Sequence, residues 1–184
     1  EYWNAVFFKR AITLRNLKQV IDMSDPVKLK LTKVGLDAAL NAEINGIFIK
    51  LDKIKFSTDR FVSVPNDLRT TLDNVVHEST IAAGGTSILQ NTLRLFSVID
   101  SPQAHSIGSI GLYTEDGVLF AIASVETGEL MKMMPRISFT MSFGMTLSAL
   151  LLDNIDVIID EQSALAAALM FQHENHNDPH PQYS

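Results

Sequence analysis

The stretch Ile-Ser-Phe-Thr-Met-Ser-Phe-Gly-Met-Thr-Leu, residues 137–147, alternates large apolar side chains with serine, threonine or glycine at every step. Because successive side chains of a β-strand point to opposite faces, this alternation predicts a long strand with one buried face. That face should carry Phe139, Met141 and Phe143, and the other face Ser138, Thr140 and Ser142. The surrounding charge-free run, Ile137–Leu152, has sixteen residues, fewer than the about 20 that a membrane-spanning helix needs. We therefore expect a strand here and no membrane partner.

Most of the chain from residue 72 to residue 159 has similar strand-like patterns. We predict strands at Leu72–Ile81, Ser87–Val98, Ser106–Thr114, Val118–Ser124, Ile137–Leu147 and Ile155–Ile159. Turn sequences separate them at Ala83–Gly85, Asp100–Pro102, Glu115–Gly117 and Glu126–Gly128. Several strands at this spacing are typical of a sandwich or a barrel-like sheet. We predict a mainly β (α+β) fold built on an antiparallel, sandwich-like domain.

A helix is predicted ahead of these strands, over Lys33–Asn45. Thr32 can cap its start, and Asn45-Gly46 is a plausible left-handed stop. The helix should bury some combination of Val34, Leu36, Ala38, Leu40 and Ala42.

Two features flank this helix. Before it, Val27, Leu29 and Leu31 alternate with lysines, which is typical of an edge strand that is protected against pairing with other chains. After it, the apolar alternation that starts at Ile47 changes phase at Asp52-Lys53, which indicates a bulge or turn.

The two ends of the chain differ from this body. Residues 1–25 have apolar residues at helical spacing, so we predict an N-terminal helical arm that either packs on its own subunit or docks on another protein. Residues 161–172 form an Ala/Leu-rich segment that is too short to be a stable isolated helix. We expect this segment to associate with copies of itself. Residues 173–184 are rich in His, Asn and Pro and predict neither a helix nor a strand.

Three motifs resemble one protein family. Asp178–Tyr183 reads DPHPQY after an Ala-rich segment and resembles the signature at the junction between base and shaft of bacteriophage tail fibres. Leu31–Ala42 resembles the start of the tail-collar fibre N-terminal domain. Ile110–Tyr113, followed by Asp116–Ala121, resembles a strand pair of that domain. Ser109 stands where the family usually has glutamate, so a hydrogen bond made by that glutamate has no obvious counterpart here.

The resemblance implies a structural virion protein, the N-terminal part of a homotrimeric tail fibre that attaches the fibre to the baseplate or tail and so supports host adsorption. It divides the chain into a helical arm (1–25), a β-rich attachment domain (26–160), a trimerising helix (161–172) and a junction (173–184) to a shaft that follows Ser184. Its partners would be copies of itself and a baseplate or tail protein. We expect assembly in the host cytoplasm and a final place in the phage tail.

Two other functions are open to this sequence. The domain could be a receptor-binding adhesin that contacts the host surface directly, although a trimer starter C-terminal to the domain favours a place at the fibre base. It could also be a metal-dependent enzyme. We expect no enzyme, because no arrangement of nucleophile, base and orienting group is apparent, and His77 and His105 lie isolated in strand-like contexts.

The C-terminal residues contain the candidate sites. Leu165 and Leu169 lie four residues apart, so three parallel copies would form leucine layers, and we expect them to form the trimer interface together with Tyr183. His173, His176 and His180 are three of the five histidines. On a three-fold axis they could bind iron, zinc or nickel, or they could instead hydrogen-bond backbone carbonyls.

Composition excludes several further classes. The net charge of −6 argues against a nucleic-acid partner, which requires clustered lysine and arginine. The chain has no cysteine, so disulfides, thiol chemistry and cysteine-bound zinc are excluded.

Overall fold

The structure, a computed structural model, describes residues 26–160, which form twelve strands and two helices. The strands are β1 (Val27–Lys28), β2 (Lys30–Leu31), β3 (Ile49–Ser57), β4 (Val75–Thr80), β5 (Ala83–Ser87), β6 (Thr92–Asp100), β7 (His105–Ile107), β8 (Ser109–Thr114), β9 (Leu119–Ser124), β10 (Met131–Met133), β11 (Ser138–Thr146) and β12 (Ile155–Val157). The helices are α1 (Lys33–Asn45) and α2 (Ala149–Leu152).

Two sheets enclose the main core. One has the strand order β1-β11-β6-β5, and the other has the order β12-β3-β8-β9-β2, with β4 also paired to β3. A small third sheet pairs β10 with β7. Phe56 of β3 and Phe143 of β11 are fully buried between the two large sheets, with ring centroids 6.5 Å apart. The predicted mainly β, sandwich-like fold is confirmed.

Two strand pairs depart from the expected antiparallel arrangement. β1 pairs in parallel with β11, and β12 pairs in parallel with β3. Each pair joins segments that are far apart in sequence, so no hairpin turn sets their direction. Local turn sequences therefore gave no sign of either pairing. The phase change predicted at Asp52-Lys53 is confirmed, because the pairing of β3 with β8 shifts register between Leu51 and Lys53.

The prediction was wrong for the hairpin that follows residue 82. Ala83–Gly85 was expected to be a turn but opens β5, and the turn lies within the predicted strand Ser87–Val98, where Asn91 has a φ of 53°. Gly84 faces the backbone of β6 so closely that a Cβ would lie 2.6 Å from the Arg94 carbonyl oxygen. Gly84 therefore allows close strand packing here, and neither glycine marks a turn.

Two other expected elements differ. The predicted strand Ser106–Thr114 is interrupted at Gly108, where a Cβ would lie 2.5 Å from the Asp59 carbonyl oxygen, and β7 pairs with β10. Neither β10 nor α2 was predicted, because both are short.

The predicted phase of β11 holds at its C-terminal half. Phe143 and Met145 are buried, and Thr146 is exposed. Ser138, at the N-terminal end, is exposed as well. Phe139 and Met141 are only half-buried, as are Thr140 and Ser142. β1 pairs with β11 only at Phe143 and Gly144, so the rest of that edge of β11 has no neighbouring strand among the described residues.

The predictions for the two chain ends concern residues outside the described range. These are the helical arm at residues 1–25, the trimerising helix at 161–172 and the junction at 173–184.

Candidate functional site

Helix α1 lies close against strand β9. Its buried residues are Gly35, Ala39 and Ala42, which share one helix face. A Cβ on Gly35 would overlap the carbonyl oxygen of Phe120 and lie 2.8 Å from the carbonyl carbon. Only small side chains fit a helix that approaches the sheet backbone this closely.

This packing corrects the expected helix face. Ala42 is buried as expected, but Val34, Leu36 and Ala38 are only half-buried and Leu40 is exposed. The stripe formed by Gly35, Ala39 and Ala42 occupies the sheet side, so the larger Leu40 faces outward.

Both ends of α1 are fixed as the sequence predicted. The Thr32 hydroxyl accepts a hydrogen bond from the Gly35 N–H at 2.9 Å and donates one to the Leu119 carbonyl at 2.6 Å. Gly46 ends the helix in the left-handed region, with φ of 62°. These caps hold the helix and the turn after it in one position.

Four large apolar side chains are exposed at the C-terminal end of this helix. Leu40 is 41 % exposed, Ile44 78 %, Ile47 56 % and Phe48 62 %. We call these four residues the α1 patch. Leu150 is also exposed and lies on α2, the helix that packs against α1.

The α1 patch is a candidate interaction surface. Exposed apolar clusters on a soluble domain often mark binding sites, and full burial of one such side chain contributes about 1.5–3 kcal/mol. Asn41 and Asn45, beside Ile44 on the helix, are uncharged, whereas Asp37, one turn before Leu40, is exposed and pairs with Lys33. A partner that covers the Ile44 end of the patch would therefore meet uncharged helix residues, and one that reaches past Leu40 would meet this ion pair.

The α1 patch was not predicted from the sequence. One sequence feature could have predicted it, because the helix has two stripes of apolar or small residues and only one of them can face the sheet. Gly35, Ala39 and Ala42 form one stripe, and Leu40 and Ile44 form the other. Only one can face a sheet at close range, and the small one does.

The position Ser109 is fully buried, and its hydroxyl has no hydrogen-bond partner in the described part of the chain. It lies between Ser57 of β3 and Ser124 of β9. The Ser57 hydroxyl donates to the Asp73 carbonyl at 2.6 Å and accepts from the Asp59 N–H at 3.0 Å. The Ser57 hydroxyl therefore has hydrogen-bond partners, whereas the Ser109 hydroxyl is buried without one among the described residues.

We expect Ser109→Ala to raise the free energy of unfolding by about 1 kcal/mol, because a buried unpaired polar group costs about 1–3 kcal/mol. Ser57→Ala is the matched control and should lower it, since it leaves two backbone groups without that partner. Urea denaturation of both variants measures the difference. An equal loss in the two variants would contradict the geometry at Ser109.

The two histidines of the described region are not isolated from each other. The His77 ring packs 5.7 Å from the Phe56 ring and its Nε2 lies 3.1 Å from the Ser79 hydroxyl. The pKa of His77 is lowered mainly by its partial burial and, to a smaller extent, by the nearby His105. His77 is therefore a half-buried side chain that packs on the core.

The predicted site residues lie outside the described residues. These are His173, His176 and His180 for metal, and Leu165, Leu169 and Tyr183 for the trimer interface. Within residues 26–160, no group of three or more His, Cys, Asp or Glu side chains could hold a metal ion. No helix in the same range is long and apolar enough to cross a membrane.

Comparison with known families gives one match. The family described as phage tail-collar fibre protein, N-terminal, matches residues 23–168, which is most of the chain. The fold and this match define a structural component of a phage tail. The chain belongs to the phage tail-collar fibre protein family, as the sequence motifs indicated. No curated protein matches the chain. No solved structure matches it.

Proposed function

We propose that this chain is the virion-proximal part of a homotrimeric tail fibre and attaches the fibre to the baseplate or tail, supporting host adsorption. In this proposal residues 26–160 are the attachment domain, 161–172 start the trimer and 173–184 lead to the shaft. Its role is structural and not catalytic, and the trimer assembles in the host cytoplasm before joining the virion.

The observation that carries the proposal is the α1 patch in a chain of this family. Leu40 and Ile44 lie on a capped helix that the close contact of Gly35 with β9 holds against the sheet, and Ile47 and Phe48 follow its cap. A rigid apolar surface loses little conformational entropy on binding. A trimer would present three copies of this surface, so that several weak contacts would act together.

The attachment function is tested with virions that lack the fibre. The full chain is expected to co-sediment with these particles and not with host cells. Binding to the cells but not to the particles would instead support a receptor-binding adhesin.

The trimer rests on the segment after the described domain. Leu165 and Leu169 would form leucine layers around the axis, and Tyr183 would continue the interface. His173, His176 and His180 could bind iron, zinc or nickel where the three chains meet, and such binding would add to the folding free energy.

Native mass spectrometry of the full chain tests the trimer and the metal together. We expect a species of three chains, each of 20.4 kDa, with about one first-row metal ion per trimer. His180→Ala should lose the ion and lower the melting temperature. A metal-free trimer whose stability is unchanged in His180→Ala would contradict the metal site and leave these histidines as residues that hydrogen-bond the backbone. A monomer in the complete fibre would contradict the trimer.

A further inference from the structure

An open groove of about 620 Å³ runs between the β1–β2 segment and the end of β11. We call it the β1–β2 groove. Its size is in the range of ordinary ligand-binding pockets. Five core side chains lie at its base, Leu29, Leu93, Met145, Leu147 and Leu151. Its more accessible apolar lining is formed by Pro26, Leu31 and Pro65, which are half-buried or exposed.

Three positively charged side chains also line the groove. Lys28, Lys30 and Arg94 all line the β1–β2 groove and are exposed. Gly144 pairs with Lys28 on one side and with Arg94 on the other. Neighbouring strands lie about 4.8 Å apart, and Gly144 has no side chain. Lys28 and Arg94 therefore flank Gly144, and the Pro26 ring packs over this glycine, 3.3 Å from the position of a Cβ.

The charge of the β1–β2 groove is opposite to that of the protein. The chain carries a net charge of −6, yet none of the residues of the described range 26–160 that line the groove is acidic. The ion pairs of the described residues use Lys33, Lys50, Lys53, Lys55 and Arg69. The three groove cations take part in none of these pairs.

Protection of strand edges explains only part of this arrangement. Lys28 and Lys30 lie on β1 and β2, which are edge strands, where lysine discourages pairing with other chains. Lys30 also donates from Nζ to the Ser63 carbonyl at 2.5 Å. Arg94 lies on β6, between β11 and β5, so no edge requires its charge.

We propose that the β1–β2 groove binds an acidic segment of a partner protein that also carries aliphatic side chains. The carboxylates would pair with Lys28 and Arg94, and the aliphatic groups would contact Pro26, Leu31 and Pro65, the apolar lining residues that are not fully buried. A nucleic acid fits less well, because no aromatic side chain among the described residues lines the groove to stack with bases. The inference goes beyond the proposed attachment, since it identifies a different surface and the chemistry of its occupant.

Fluorescence anisotropy of the full chain with a dye-labelled peptide of alternating leucine and aspartate tests this inference. We expect binding that weakens with salt and falls at least about tenfold, or 1.4 kcal/mol, in the double variant Lys28→Glu with Arg94→Glu. The double variant should instead bind a leucine/lysine peptide. Both substituted side chains are exposed, so the fold should be retained.

The matched control is Lys132→Glu with Arg136→Glu, which makes the same charge change near the opposite end of β11. It should leave binding of the leucine/aspartate peptide within about twofold, a difference of about 0.4 kcal/mol. Equal loss in the two double variants would show a general charge effect and overturn the proposal. Equally tight binding of a serine/aspartate peptide or of single-stranded DNA would overturn it too, because the apolar lining would then contribute nothing. Peptide binding that survives in an α1 patch variant unable to bind the tail would separate this site from the attachment surface.

Discussion

Gly35→Ala is expected to lower the free energy of unfolding by about 3 kcal/mol, at the upper end of the usual cost of overpacking. The added methyl would overlap the Phe120 carbonyl oxygen and lie 2.9 Å from the Phe120 Cα. These are backbone atoms of β9, which cannot rotate away as a side chain would. The helix must shift off the sheet, which also disturbs the hydrogen bond that the Thr32 hydroxyl donates to the Leu119 carbonyl. Urea denaturation measures the loss.

Gly85→Ala is the matched control for this substitution. A Cβ at Gly85 meets nothing within 4 Å, so the free energy of unfolding should stay unchanged or rise by up to about 1 kcal/mol. If Gly35→Ala is as well tolerated as Gly85→Ala, the close contact between α1 and β9 is wrong. The explanation for why Leu40 and Ile44 face outward would then be wrong too, because it depends on that contact.

Phe143→Ala is expected to cost about 3–5 kcal/mol, the usual range for a fully buried phenylalanine. The ring is completely buried and lies against the Phe56 ring across the two sheets. Its loss would leave a cavity at the centre of the core. Thermal and urea denaturation of the variant measure the effect.

Phe139→Ala gives the internal comparison, because it removes the same side chain from the same strand. Phe139 is only half-buried, where β11 has no β1 beside it. The expected cost is smaller, on the order of 1–2 kcal/mol. Equal losses at the two positions would mean that burial is uniform along β11, contrary to the structure.

The parts of the fold that local chemistry determines were predictable. The alternation in residues 137–147 gave β11, and Thr32 and Gly46 gave both ends of α1. The register shift beside Asp52 followed from a change of phase in β3. In each case the decisive physics acts between residues that are near in sequence.

The parts that tertiary contacts determine were not predictable. Gly84 looks like a turn residue, but its role comes from Arg94 on the neighbouring strand. The parallel pairing of β12 with β3 joins residues about a hundred positions apart. Which face of α1 points outward depends on how closely the helix approaches Phe120. The spacing of residues along the helix does not determine that distance.

The candidate sites also differ in whether local sequence or tertiary packing determines them. The histidine and leucine sites proposed for residues 161–184 came from spacing and resemblance, and they remain predictions because they lie outside the described residues. The α1 patch came only from the structure, because exposure of Ile44 and Phe48 follows from how the domain packs. Sequence motifs identified the family, and the folded surface supplied a place where a partner could bind.

Binding of the full chain to virions that lack the fibre is the most direct test of the attachment surface. The variant carries Ile44→Asp with Phe48→Asp, and the control carries Leu89→Asp, since Leu89 is 99 % exposed at the turn between β5 and β6. Exposed positions tolerate such changes, so both proteins should keep the wild-type melting temperature. We predict that the α1 patch variant binds the particles at least about tenfold more weakly and that the Leu89 variant binds like the wild type. A folded α1 patch variant that binds with unchanged affinity would contradict the account.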